Sequence, residues 1–141
     1  MALDAGEFKK AKASAKELLT EAARLKTQSG SLRLTAENQI YKAHQILGRV
    51  ALREGSLSEA RKQLLESANI TPGPGLGSLS SFGPNMTLAK ELLEKGEKKT
   101  VLEFFERCRK FWSTDREKLD AWSWQVSQGK IPDFGANLLY Q

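Results

Sequence analysis

The chain carries one histidine and one cysteine, His44 and Cys108, the two side chains best suited to acid–base or nucleophilic chemistry. A histidine moves protons near neutral pH. A thiolate beside it attacks electrophilic carbon, provided the two side chains meet and a third group orients the ring. His44 falls on the inner or lateral face of a helical segment, and Cys108 on an aromatic helix face. The favoured reading is a packed histidine with a backbone hydrogen bond and a small core cysteine, so no catalytic residue is assigned. A lone cysteine also rules out an intramolecular disulfide and a cysteine-rich metal site. One His, one Cys and scattered carboxylates such as Glu59, Glu66, Glu103 and Glu106 make no convergent ligand set, so neither metal nor cofactor is expected.

Two glycine-containing stretches imitate phosphate chemistry. GPGLGSLSSFGPN (73–85) precedes a helix whose N-terminus could hold an anion. It lacks the Gly-Lys-Ser/Thr ending of a Walker loop and follows no strand, so a structural loop is expected. Asp133-Phe134-Gly135 matches a kinase metal-binding triplet in letters alone, without the accompanying catalytic loop. A small-molecule or enzymatic site is the alternative reading. It would require His44, Asn85, Asp133 and Asn137 to converge where the 71–85 loop meets the C-terminal tail.

Charge narrows the classes further. The net charge is +5, from 22 basic and 17 acidic residues. Lys9, Lys10, Lys12 and Lys16 form the densest basic run, and Arg107, Arg109 and Lys110 a second, but acids such as Glu17, Glu21 and Glu106 follow or interrupt both. That pattern reads as solvated helix faces rather than a nucleic-acid stripe. No window approaches the roughly 20 apolar residues of a membrane span, and no secretory signal is visible. A cytoplasmic location is the expectation.

The elements that must position these residues are helical throughout. Phe8, Ala11, Ala15, Leu18, Leu19, Ala22 and Leu25 recur at three- and four-residue steps, predicting a helix over 5–27 capped by Asp4, with Gly30 just beyond. Ile40, Ala43, Leu47, Val50 and Ala51 predict a second helix from Ala36 to Arg53, stopped by Gly55. Ser56-Leu57-Ser58-Glu59 fits a capping box for a third, and so short a turn forces an antiparallel hairpin. Three prolines and four glycines between Thr71 and Pro84 break the pattern. A fourth helix follows, capped by Asn85 and closed by Gly96. A fifth carries Val101 to Trp112, and a sixth is opened by Thr114-Asp115-Arg116-Glu117. Trp122 and Trp124 cannot share one face of that last helix, so one should meet the tail or lie exposed. Residues 130–141 read as an extended apolar strap.

The first hairpin has the spacing of a tetratricopeptide repeat (TPR), a roughly 34-residue helix pair. Counted from Tyr41, the small and bulky places are filled by Leu47, Gly48, Gly55, Ala60, Leu64, Ser67 and Pro72. Counted from Phe82, a weaker unit supplies Leu88, Ala89, Gly96, Val101, Phe105 and Cys108. His44 stands where the pattern often has Trp, and Ala51 where it has Tyr. The runs LGRVALREG (47–55), SFGPNMTLAKELLEKGE (81–97) and IPDFGANLLY (131–140) resemble a family of bacterial TPR-like helical proteins to which no activity is assigned. That resemblance covers about residues 38–141. It implies a helical fold, with Asn38, His44, Asn85, Asp133 and Asn137 on matching motif positions.

The expected fold is therefore all-α: antiparallel hairpins in a TPR-like right-handed superhelix of about six helices, with an extended C-terminal tail. One domain is expected over 1–141. It comprises a capping helix in 1–34, two TPR-like pairs in 35–115 with a Gly/Pro loop at 71–85, and a helix and strap in 116–141. TPR units take peptides or partner helices along the first helix of each pair. Lys42, Gln45, Arg49 and Arg53, joined by Lys90, would line that surface. The expected function is thus non-enzymatic capture of a protein or peptide, with an acidic segment or terminal carboxylate matching the charge.

Overall fold

The computed structural model describes residues 5–28, 31–70, 79, 83–112 and 114–139. Every regular element among them is helical, with no strand. The expected Asp4 cap, the Gly30 stop, Pro72, Phe82 and most of the Gly/Pro loop lie outside the described residues. The chain divides into two compact units, 1–70 and 71–141.

The first unit holds α1 (Ala5–Leu25), α2 (Ser31–Arg53) and α3 (Leu57–Ser67). α2 begins five residues before the expected Ala36, since neither Gly nor Pro stands between Ser31 and Ala36 to stop it. Ion pairs Lys12–Glu54 at 2.9 Å and Lys26–Glu37 at 3.7 Å fix α1 antiparallel to α2. The core between these helices is mostly alanine: Ala15, Ala22, Ala36, Ala43, Ala51 and Ala60 are all buried, and Gly48 with them. Small side chains bring helix axes close, toward the lower end of the roughly 8–10 Å range. Leu25, Tyr41, Val50 and Leu64 fill what remains.

α2 turns into α3 through Gly55, whose φ of +84° favours glycine. Gly55 N donates to Leu52 O at 3.1 Å and Ser56 N to Ala51 O at 2.9 Å, the two bonds of a Schellman motif. That motif explains why the expected capping box does not form. The Ser56 N–H, which Glu59 would have accepted, is already given to Ala51, and the Ser56 hydroxyl makes no cap bond. Glu59 accepts from Gln63 Nε2 instead, at 2.8 Å.

The second unit holds α4 (Thr87–Glu94), α5 (Lys98–Cys108) and α6 (Arg116–Ser127), followed by the tail. Its first turn repeats the Schellman bonding of α2–α3: Gly96 N to Leu93 O and Glu97 N to Leu92 O, both 2.9 Å. The two turn glycines are 41 residues apart, and the same offset relates the buried positions of the helices that follow. Ala60, Gln63, Leu64 and Ser67 in α3 correspond to Val101, Phe104, Phe105 and Cys108 in α5. The two hairpins thus share a layout of inward positions but not the chemistry at them.

α5 ends at Cys108, short of the expected Trp112, and Phe111 and Trp112 are buried beyond its end. Aromatic rings form the core. Trp122 lies 5.7 Å from Trp112 and 4.9 Å from Phe134, and Phe105 lies 6.0 Å from Trp122, ring centre to ring centre. Trp122 is buried and Trp124 is 60% exposed, the division expected of two positions on opposite sides of one helix. The strap carries one 3-10 turn, Gly135–Leu138. Phe134 plugs it into the aromatic core, and Asn137 ties it to the residues before α4.

Candidate functional site

Lys42, Ile46, Arg49 and Arg53 follow one another at helical spacing along a single edge of α2. Lys42 is exposed, while Arg49 and Arg53 are half-buried. Arg53 Nη1 donates to Arg49 O at 3.2 Å, a cation on the last carbonyls of the helix, where the macrodipole favours it. Gln45 departs from this edge. It is 7% exposed and turned toward α3, where its Nε2 donates to Ser67 Oγ at 3.0 Å and the Ser67 hydroxyl donates to Leu64 O at 2.6 Å. Lys90 is half-buried on α4, in the second unit.

Beside Lys42 a shallow groove of about 410 Å³ runs between α1 and α2, lined by Ser14, Glu17, Leu18, Glu21, Lys42 and Ile46. The antiparallel register set by Lys12–Glu54 and Lys26–Glu37 brings the Glu21 end of α1 across from Lys42. Glu21 nevertheless gives its two oxygens to Arg24, at 2.6 and 3.1 Å. The bond from Arg24 holds the Glu21 carboxyl below its ordinary value, and the same bond raises Arg24. Glu17 and Lys42 are exposed, and Leu18 and Ile46 are half-buried between them. Glu17 and Glu21 stand at the surface, as their types and spacing suggest, but their place along a groove depends on the α1–α2 register. Leu18 beside Glu17, with Glu21 one turn on, was the available signal.

His44 sits on the opposite side of α2. Gln63 Nε2 is committed to Glu59, so Gln63 Oε1 faces the ring at 2.6 Å and His44 Nδ1 is the donor. Glu66 Oε2 lies 3.7 Å from the same nitrogen. The histidine is thus packed as expected, but its partner is a side chain rather than the backbone. Cys108, in the second unit, is fully buried, and burial pushes its thiol well above the ordinary value, away from the thiolate.

The alternative polar set divides between the units. His44 belongs to the first, and Asn85, Asp133 and Asn137 to the second. Asn85 and Asn137 do meet. Asn137 Nδ2 donates to Pro84 O at 3.1 Å, Met86 N donates to Asn137 O at 2.8 Å, and Asn85 Nδ2 reaches Leu138 O at 3.5 Å. Asn85 Oδ1 also accepts from Thr87 N at 2.8 Å, a local i-to-i+2 turn bond. The expected Asn85 cap is displaced by one residue, because Met86 is the N-cap of α4 and no side chain caps it. Asp133 Oδ1 accepts from Gly135 N at 3.0 Å and shapes the tail's turn. These bonds tie the tail to the start of α4 through main-chain partners.

Among the described residues no group of three or more His, Cys, Asp or Glu is placed to hold a metal ion, and no helix is long and apolar enough to cross a membrane. No family model matches the chain, and neither a curated protein nor a solved structure does.

Proposed function

We propose that this chain is a non-enzymatic, TPR-like interaction module that takes a protein or peptide partner along the outer edge of α2 and the groove beside it. The observation that carries the reading is the groove itself. Half-buried Leu18 and Ile46 are flanked by charged side chains, as in the apolar centre and polar rim of a protein interface. The repeat reading is supported by the shared turn bonding and the shared inward positions of the α2–α3 and α4–α5 hairpins. A cytoplasmic setting belongs to the same proposal.

The test is affinity capture with the full chain, comparing wild type, Arg49→Glu/Arg53→Glu and a charge-matched control, Lys99→Glu/Lys110→Glu, on the second unit. A partner held by wild type and the control should be lost by the α2 variant. Equal retention by all three would sink the assignment of the surface.

A further inference from the structure

The α1–α2 groove has walls of opposite sign, and that restricts what can fill it. Glu17 and Glu21 stand on the α1 side, and Lys42 on the α2 side with Arg49 and Arg53 continuing the edge. Glu21 is occupied by Arg24. Glu17 and Lys42 make no ion pair or hydrogen bond among the described residues, although they line the same groove. Each wall therefore presents a charge with no partner among the described residues. Between the walls, Leu18 and Ile46 offer an apolar strip for anchors of a second helix.

We propose that the groove takes an amphipathic partner helix with basic residues along the edge facing Glu17 and acidic residues along the edge facing Lys42. This rests on the interaction reading above and names the class of partner. A uniformly acidic helix would satisfy Lys42 while setting its other edge against Glu17, and a uniformly basic one would do the reverse. Like charges across a contact suppress the wrong partner. Only the mixed helix is complementary on both sides, and it is complementary in one direction of the chain.

Three synthetic helices of about 18 residues, long enough to be helical in isolation, serve as probes. They share one leucine face and carry Lys and Glu on opposite edges, Glu on both, or Lys on both. Affinities are measured by fluorescence anisotropy against the full chain at about 0.15 M salt, where charges beyond about 8 Å are screened. Wild type should bind the mixed helix about fivefold more tightly than either uniform one. It should do so against the chain's net charge of +5, which by itself favours the acidic probe. Glu17→Lys should move the preference to the acidic helix, and Lys42→Glu to the basic helix. Both residues are exposed, so the fold should survive, and circular dichroism checks that it does.

A wild type that binds the acidic probe most tightly, or a ranking that neither variant alters, overturns the proposal. So does failure of all three helices to bind. A dimer that Glu17→Lys dissolves assigns the groove to a second copy of the chain instead. If the Arg49/Arg53 variant loses a captured partner while the three helices bind wild type equally, the interaction reading stands and the mixed-helix partner falls.

Discussion

Replacing Gly83 by alanine separates two costs that usually arrive together. Gly83 has a φ of +90°, and a Cβ built there falls within 2.7 Å of Trp112 Cδ2, inside van der Waals contact with the indole. Gly96, in the same unit, has a nearly equal φ of +83° and nothing within 4 Å of the added atom. The left-handed backbone costs an alanine about 1–2 kcal/mol at either site. At Gly83 the fully buried Trp112 must also move, and overpacking of that kind adds about 1–3 kcal/mol. Gly83→Ala should therefore destabilise by roughly 2–5 kcal/mol and Gly96→Ala by about 1–2 kcal/mol. All three tryptophans, Trp112, Trp122 and Trp124, lie in the second unit, so indole fluorescence during urea unfolding reports on that unit. With a slope near 1 kcal/mol/M for so small a unit, the Gly83 midpoint should fall at least about 1 M below the Gly96 midpoint. Trp112→Phe removes the outer indole atoms, Cζ2 among them, and so relieves part of the conflict; Gly83→Ala should cost less in that background than in wild type. Equal midpoints for the two alanine variants, or strict additivity with Trp112→Phe, would refute the close approach.

Phe134→Ala removes the ring stacked edge-on 4.9 Å from Trp122 and should cost about 3–5 kcal/mol by urea unfolding; a change under about 1 kcal/mol would mean that the tail is not part of the core. Ser67→Ala leaves the buried Gln45 amide without its acceptor and should destabilise the first unit by about 1–3 kcal/mol. Far-ultraviolet circular dichroism follows that loss, and no change would place Gln45 at the surface after all. Cys108 should resist thiol reagents in the native chain and react at the rate of unfolding, whereas fast labelling without denaturant would contradict its burial. Its thiol is raised on folding from an ordinary value of 9.0, so the native state holds the proton more tightly than the unfolded one. The corresponding stability is complete below pH 9.0 and declines as pH rises above it, by up to about 1.4 kcal/mol per pH unit. Cys108→Ala should remove that part of the slope, seen as a difference between the two stability–pH curves.

Much of the helical layout was legible because Gly55 and Gly96 punctuate strongly periodic segments. The inward positions Ala60, Leu64, Val101 and Phe105 followed from that register. What periodicity could not supply was the relation between elements distant in the chain. Gln45 reads as a surface residue by type, and only its hydrogen bond to Ser67, 22 residues away, explains its burial. The acidic wall of the groove depends on the α1–α2 register, which the Lys12–Glu54 and Lys26–Glu37 pairs set and the spacing of α1 alone does not reveal. The capping box at Ser56 failed for a local reason, two motifs competing for a single N–H.

The two hairpins share a frame in which α3 and α5 offer inward residues at the same places, yet the side chains at those places are not interchangeable. The 41-residue offset sets Gln45 against Met86 and His44 against Asn85, and it sets Ser67 against Cys108 and Gln63 against Phe104. Were α2 to pack on α5, Gln45 and His44 would face Cys108 and Phe104, and their polar atoms would be buried without partners, at about 1–3 kcal/mol each. The polar pairs of the first hairpin thus match α2 to the residues of α3 and would be unsatisfied against those of α5.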